Sequence, residues 1–180
     1  MLSDSGASRP VIDDHDKRII GETLEGTTTY VGSVSGIEGL IDDEADAGGL
    51  EDYPTVTRDT ATWDADDDGI ADWWDGSTGG EGFTPIEGYL NFMADPHAFV
   101  EPSGSVTVDL AALSAGFVDV SFSVSGGEKG TVELSGSEVT YTAGAEPGID
   151  SFTFELEDSE GDTWSRTFGI AIFEGAADAQ

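Results

Sequence analysis

The 180-residue chain sets 38 aspartates and glutamates against six lysines and arginines, a formal charge of −32. The cations, Arg9, Lys17, Arg18, Arg58, Lys129 and Arg166, are scattered and form no patch, which argues against nucleic acid and an anionic membrane surface as partners. With 37% hydrophobic residues in alternating patterns, a disordered acidic tail is also excluded.

Acid spread over the whole chain, with lysine scarce, is the composition of a folded protein kept soluble at high salt. There is no cysteine, so stability without disulfides calls for a larger core or a bound metal. The opening MLSDSGASRPVIDD has no basic start followed by an apolar run, and no stretch is long and apolar enough to span a membrane. The expectation is either a cytoplasmic protein or a fragment whose leader lies elsewhere.

Residues 1–62 read as an irregular segment. Asp13 and Asp14 stand at helix-cap positions, and Ile19, Ile20 and Leu24 can share one face of a short helix ending at Gly26. TTTYVGSV reads as a short strand, followed by a Gly-, Asp- and Glu-rich loop from Gly36 to Asp52. The segment is poor in apolar residues and reads as the edge of something larger.

Residues 63–93 begin with DADDDGIADWWD, Asp64 to Asp75. Acids stand at the first, third, fifth, ninth and twelfth positions of a twelve-residue loop, with glycine at the sixth. This is the ligand spacing of an EF-hand-type calcium loop. Asp64, Asp66 and Asp68 supply carboxylates, Gly69 the turn, Ile70 its carbonyl, Asp72 a water-mediated contact, and Asp75 the closing position usually held by glutamate. The competing reading is a solvated acidic turn in a very acidic protein. A second loop on the same template would use Ser77, Gly79, Glu81 and Gly88, of which only one is acidic, so no second ion is expected there. Phe83, Ile86, Tyr89, Leu90 and Met93 then recur at helical spacing behind Thr84 as a cap.

Residues 94–104, ADPHAFVEPSG, read as a linker. From 105 to 174 the chain becomes a run of short alternating strands: SVTVDL, FVDVSFSV, GTVELSG, SEVTYTA, DSFTFELED and TWSRTFGIAIF. Gly, Ser and Asp turns separate them, the pattern of an Ig-like β-sandwich, so the fold class is mainly β. Val118, Val120, Phe122 and Val124 should face one way. Phe152, Phe154 and Leu156 repeat that period of two, as do Phe168, Ile170 and Ile172.

The blocks GASRPVIDDHDKRII, GTTTYVGS, GLIDDEADAGGLEDYP, the acidic loop and GFTPIEGYLN resemble, in order, the C-terminal part of secreted pectate lyases of polysaccharide lyase family one. That family carries a D-x-D-x-D-G-x-x-D-x-W-E loop and a G-Y-T-N-L-E-E-Y-L-N segment after a parallel β-helix. Trp74 matches its tryptophan and Asp75 replaces its glutamate. Pro85 and Gly88 depart from the second segment. The resemblance implies calcium, an extracellular setting, and pectin or another acidic polysaccharide as partner of the parent enzyme. For the parent family it implies pectate cleavage by β-elimination, with calcium bridging the uronate carboxylate and an arginine as base. This chain offers no place for that chemistry: the family's groove lies on the β-helix, and no motif for its catalytic arginine is present. Arg18 is expected to pair with neighbouring acids.

The second half is similar to bacterial cadherin-like or Ig-like repeats through Gly148, Asp150–Phe154 and Asp158–Asp162. Asp158, Glu160 and Asp162 fit either a further calcium site or a polar hairpin turn. Elsewhere, catalytic signals are lacking. His15 and His97 read as isolated surface histidines, no G-x-S-x-G turn occurs, and no glycine-rich phosphate loop is followed by lysine and a helix. Trp63, Trp73, Trp74 and Trp164 fit either packing or a sugar-stacking platform. The sequence thus suggests a non-catalytic, calcium-binding C-terminal region of a secreted pectate-lyase-like protein with an Ig-like spacer or binding module. The alternative is a stand-alone calcium-dependent adhesion or carbohydrate-binding module.

Overall fold

The computed structural model describes residues 13–50, 60–78, 80–114, 117 and 119–179. The expectations for Val118 and Gly79 lie outside them. The chain divides into two compact units, Met1–Val56 and Thr57–Gln180. The boundary precedes the acidic loop, so the loop belongs to the same unit as the strands. No helix among the described residues is long and apolar enough to cross a membrane.

In the first unit, α1 (Asp14–Glu25) forms where the caps predict. Asp13 Oδ1 accepts from the Asp16 N–H at 2.7 Å, and Gly26 ends the helix at φ +64°. Arg18 pairs with Glu22 at 3.1 Å and lies over the Tyr30 ring, as expected of an arginine among acids. The expected apolar face is not buried: Ile19 and Leu24 remain about half exposed. The expected strand at TTTYVGSV reduces to one bridge, Val31 with Glu38. Its amides are taken instead by carboxylates. Asp42 accepts from Val34 and Ser35, and Asp46 accepts from Ser33 and from Asp42 itself. These bonds hold both carboxyls below the usual aspartate range. A short 3₁₀ turn, Glu44–Ala47, follows.

The second unit is mainly β, with two sheets. Strands β1 (His97–Val100), β7 (Thr163–Ile172), β6 (Gly148–Glu157) and β3 (Ser121–Gly126) lie in that order, β1 parallel to β7 and the other pairs antiparallel. Strands β2 (Ser105–Asp109), β5 (Glu138–Ala143) and β4 (Gly130–Ser135) form an antiparallel second sheet. Tyr141 and Val139 meet Phe152, Phe154, Phe168, Ile170 and Ile172 in the core, and Leu156 is buried too, the faces that the two-residue period selects. Phe122 and Val124 pack against this core, whereas Val120 precedes β3.

Residues 94–104 are not a linker, because they contain β1. The sequence hides it: four residues between Pro96 and Pro102 carry too short a pattern to read. Its pairing with β7 is held further by Gly169 N–H donating to the Pro96 carbonyl at 2.9 Å.

Strand β7 is buried on both faces over its last residues. Ala171 and Phe99 face outward from the core into a second apolar cluster with Trp63, Trp73, Phe92, Met93, Ile149 and Phe173. Trp63 comes from α2 (Thr60–Trp63), Trp73 from the acidic loop, Phe92 and Met93 from α3 (Pro85–Ala94), Ile149 from β6 and Phe173 from just past the end of β7. Gly169 is required here, since a Cβ on it would lie 2.5 Å from Phe92 Cε2. Helix α3 starts as predicted, with the Glu87 carboxylate accepting from the Thr84 N–H and hydroxyl. Its buried face is a different one, however. Gly88 and Tyr89 are buried against Ser77 and the Trp73–Trp74 pair, and Phe92 and Met93 join the cluster on the outer face of β7, while Phe83, Ile86 and Leu90 stay 41–55% exposed. Gly88 permits this approach, because a Cβ would meet the Ser77 carbonyl oxygen at 2.3 Å.

Candidate metal centre

The loop from Asp64 to Asp75 leaves α2 and folds around its own first carboxylate. Asp64 Oδ1 accepts from the Asp68 N–H at 3.1 Å and Oδ2 from the Gly69 N–H at 3.0 Å. Gly69 adopts φ +85°, and Asp67 also lies in the left-handed region at φ +59°. Asp68 Oδ1 accepts from the Ile70 N–H at 2.8 Å, an Asx turn that directs the chain back. Asp72 closes the ring: its carboxylate accepts from the Ala65 N–H at 3.2 Å, and its N–H donates to the Trp63 carbonyl at 2.8 Å.

This folding brings Asp64, Asp66 and Asp72 together, with one oxygen of each within 4.8 Å of the others. Asp64 is half-buried, the other two exposed, and the trio could hold a metal ion. The negative charge of Asp68, followed by partial desolvation and by Asp64 and Asp72, raises the Asp66 carboxyl above its ordinary value. Such crowding favours an ion that neutralises it.

Two predicted ligands sit differently. Asp68 spends one oxygen on its Asx turn and stands outside the trio. Asp75 turns away altogether. Its Oδ1 accepts from the Ser77 N–H at 3.0 Å and from the Ser77 hydroxyl, and its Oδ2 accepts from the Ile149 N–H at 3.3 Å. Burial pushes the Asp75 carboxyl up, but the Ser77 bonds, the Ile149 bond and the Lys129 charge outweigh it and hold the group low. The closing position of the loop is therefore a tie to β6. Among described residues no other group of three acids or histidines is metal-like. At Asp158–Asp162, Asp158 Oδ1 accepts from the N–H groups of Glu160 and Asp162, a polar hairpin turn between β6 and β7.

The tryptophans are packed, not displayed. Trp73 stacks on Phe173 at 5.1 Å and meets Trp63, Phe99 and Phe92 edge-on or tilted. Trp74 donates its indole N–H to the Ser77 carbonyl, and Trp164 packs on Phe117 and Phe154. Nor is either histidine an isolated surface residue. His97 lies between Phe92 and Phe99, and His15 Nε2 meets the Gly49 carbonyl at 3.1 Å.

The one carboxylate that sequence patterning placed in a repeat signature without a role is Asp150. It is 8% exposed and accepts from Tyr141 Oη at 2.6 Å and from the N–H groups of Lys129, Glu128 and Ser151 at 2.8–3.0 Å. Burial pushes its pKa up, and these four donors outweigh it to hold the group low. Burial and the Asp150 charge raise Tyr141 well above a normal phenol. The pair ties the two sheets together. An acid following Gly148 at the head of a hydrophobic strand was the available signal.

No family model matches the chain, and no curated protein does. Solved structures match locally. A nucleoside hydrolase-related protein from Saccharophagus degradans, described as associated with carbohydrate metabolism, aligns at 15% identity and TM-score 0.36, over 45% of this chain and 23% of its own. The PKD domain from KIAA 1837 protein aligns at 20% identity and TM-score 0.34, over 43% of this chain and 79% of that domain. InlP of Listeria monocytogenes aligns at 16% identity and TM-score 0.28, over 44% and 26% of the two chains. The chain thus spans about a quarter of the length of the first of these.

Proposed function

We propose that this chain is a non-catalytic, calcium-binding C-terminal region of a secreted pectate-lyase-like protein, in which the ion fastens the acidic loop and the sandwich serves as spacer or binding module. The observation that carries the metal reading is the convergence of Asp64, Asp66 and Asp72 on a loop already folded by its own hydrogen bonds. An all-oxygen, anionic set favours a hard divalent cation, and the loop length favours calcium over magnesium. Asp68 and the Ile70 carbonyl complete the proposed set, with Asp72 contacting directly or through water. Asp75 is left out, because its carboxylate is engaged by Ser77 and Ile149.

Terbium is the direct probe, since Trp63, Trp73 and Trp74 border the loop and can sensitise its emission. Sensitised emission that calcium displaces, and that Asp64→Asn removes, is the expected result. Titration with no emission and no calorimetric heat of calcium binding sinks the metal reading. The parent-enzyme reading is tested separately by the open reading frame upstream of Met1, where β-helix repeats are expected. Polygalacturonate incubated with this chain should yield no unsaturated product.

The alternative, a stand-alone adhesion or carbohydrate-binding module, is favoured by one observation. A shallow groove of about 460 Å³ beside Asp150 has Ser77, Ser125, Ser151 and Thr153 among its lining residues. Retention on pectin that Ser151→Ala weakens, without β-helix sequence upstream, would favour this reading over the first.

A further inference from the structure

The junction of α3 and β1 is an Asp–Pro bond, Asp95–Pro96, held firmly on both sides. The Asp95 N–H donates to the Asn91 carbonyl at 3.1 Å, ending the helix, and Asp95 itself is extended at φ −88°, ψ 160°, as a residue before proline prefers. Beyond the bond, the Pro96 carbonyl accepts from the Gly169 N–H at 2.9 Å. Between these anchors the Asp95 carbonyl oxygen lies 2.8 Å from His97 Nδ1. A carbonyl oxygen only accepts, so Nδ1 carries the proton. Phe92 and Phe99, each with its ring centroid 5.1 Å from that of His97, fix the imidazole in this pose. The Asp95 carboxylate pairs through Oδ1 with Arg166 at 3.4 Å, and the side chain is 57% exposed, so water reaches it.

We propose that Asp95–Pro96 is a self-cleavage site, at which the Asp95 carboxylate attacks its own main-chain carbonyl and His97 Nδ1–H stabilises the resulting oxyanion. A bond forms from Oδ2 to the carbonyl carbon, closing a five-membered ring, and the carbonyl π pair moves onto the oxygen that faces His97. Collapse restores the carbonyl and breaks the C–N bond. The Pro96 nitrogen leaves as a secondary amine, taking a proton from water. The cyclic anhydride left on Asp95 adds one water and becomes two carboxyl groups. The net reaction is hydrolysis of one peptide bond, with no other reactant. Nucleophile and electrophile belong to the same residue, so no entropy is spent bringing them together. The N–H donor already sits at the oxygen that gains charge. The products end at Asp95 and begin at Pro96. They remain associated after cleavage, because Trp73 and Phe92 still pack on Phe99 and Phe173.

The test follows the purified full-length chain by intact mass and N-terminal sequencing, folded in buffer and unfolded in urea at the same pH. A new N-terminus at Pro96 should accumulate faster in the folded chain than in urea. Asp95→Ala should abolish it. His97→Phe keeps a ring between Phe92 and Phe99 but has no N–H, and should slow cleavage by about 100-fold, the scale of losing one oxyanion donor. Equal rates in folded and unfolded chains would show only the general acid lability of Asp–Pro bonds and overturn the proposal. So would a folded chain that stays intact, or a His97→Phe chain that melts like the parent and cleaves as fast.

Discussion

Truncating Trp73 to alanine tests whether the acidic loop and the sandwich form one cooperative unit. The Trp73 ring centroid lies 5.1–6.1 Å from those of Phe173, Phe99, Trp63, Tyr89, Phe92 and Trp74. Losing a buried tryptophan costs about 3–5 kcal/mol, and pairs of rings add about 0.5–1.5 kcal/mol each beyond area. The residue is only half-buried, and its indole N–H has no hydrogen-bond partner, so no such bond is lost. The lower end applies, about 3 kcal/mol, or roughly 10 °C in Tm for a unit of this size. Calcium bound at the proposed site, at about 100 times its Kd, would contribute about 2.7 kcal/mol, a comparable shift. Calorimetry and β-sheet circular dichroism should therefore show one transition for Thr57–Gln180, lowered both by chelator and by Trp73→Ala. In the variant, chelation should no longer move the sandwich transition. A sandwich melt that ignores chelator and Trp73→Ala alike would refute the coupling.

Asp150→Asn should cost about 3 kcal/mol or more, because an amide cannot satisfy the four donors that a carboxylate accepts. Since the folded-state pKa of Asp150 is lowered, its stabilisation is fully present above the ordinary carboxyl value and is lost as pH falls through the folded one. Acid titration of the melt should show that limb flattened in the variant. Asp66 behaves oppositely. Its raised pKa penalises the ion-free fold once it ionises, so Asp66→Asn should stabilise the chelated protein slightly while weakening terbium binding. Calcium affinity should rise with pH through that raised value, as calorimetry at several pH values will show. Gly88→Ala should destabilise by about 2 kcal/mol, since the new methyl meets the Ser77 carbonyl. Gly21→Ala on α1, with open space around it, should be neutral or stabilising by up to about 1 kcal/mol in a urea melt.

What the sequence determined by itself was local. Caps at Asp13 and Thr84, the stop at Gly26, the turn at Gly69 and the period of two in β6 and β7 depend on neighbours along the chain, and they appear where the pattern puts them. The aspartate spacing likewise brings Asp64, Asp66 and Asp72 together, because a twelve-residue loop closes on itself. The tertiary structure decided everything that required a distant partner. Strand β1 exists because β7 offers a parallel edge, and a four-residue run cannot announce that in advance. The face of α3 that is buried was set by the outer surface of β7 and by the acidic loop with Ser77, not by the helix's own periodicity, so Ile86 and Leu90 were left outside and Gly88 became a contact. Asp75 was drawn from the loop by the free N–H at Ile149, at the head of β6, a donor 74 residues away in sequence. Hydrogen-bond donors and apolar surface are satisfied by whatever the fold brings near, and only spacing within a single turn or strand can be read before that happens.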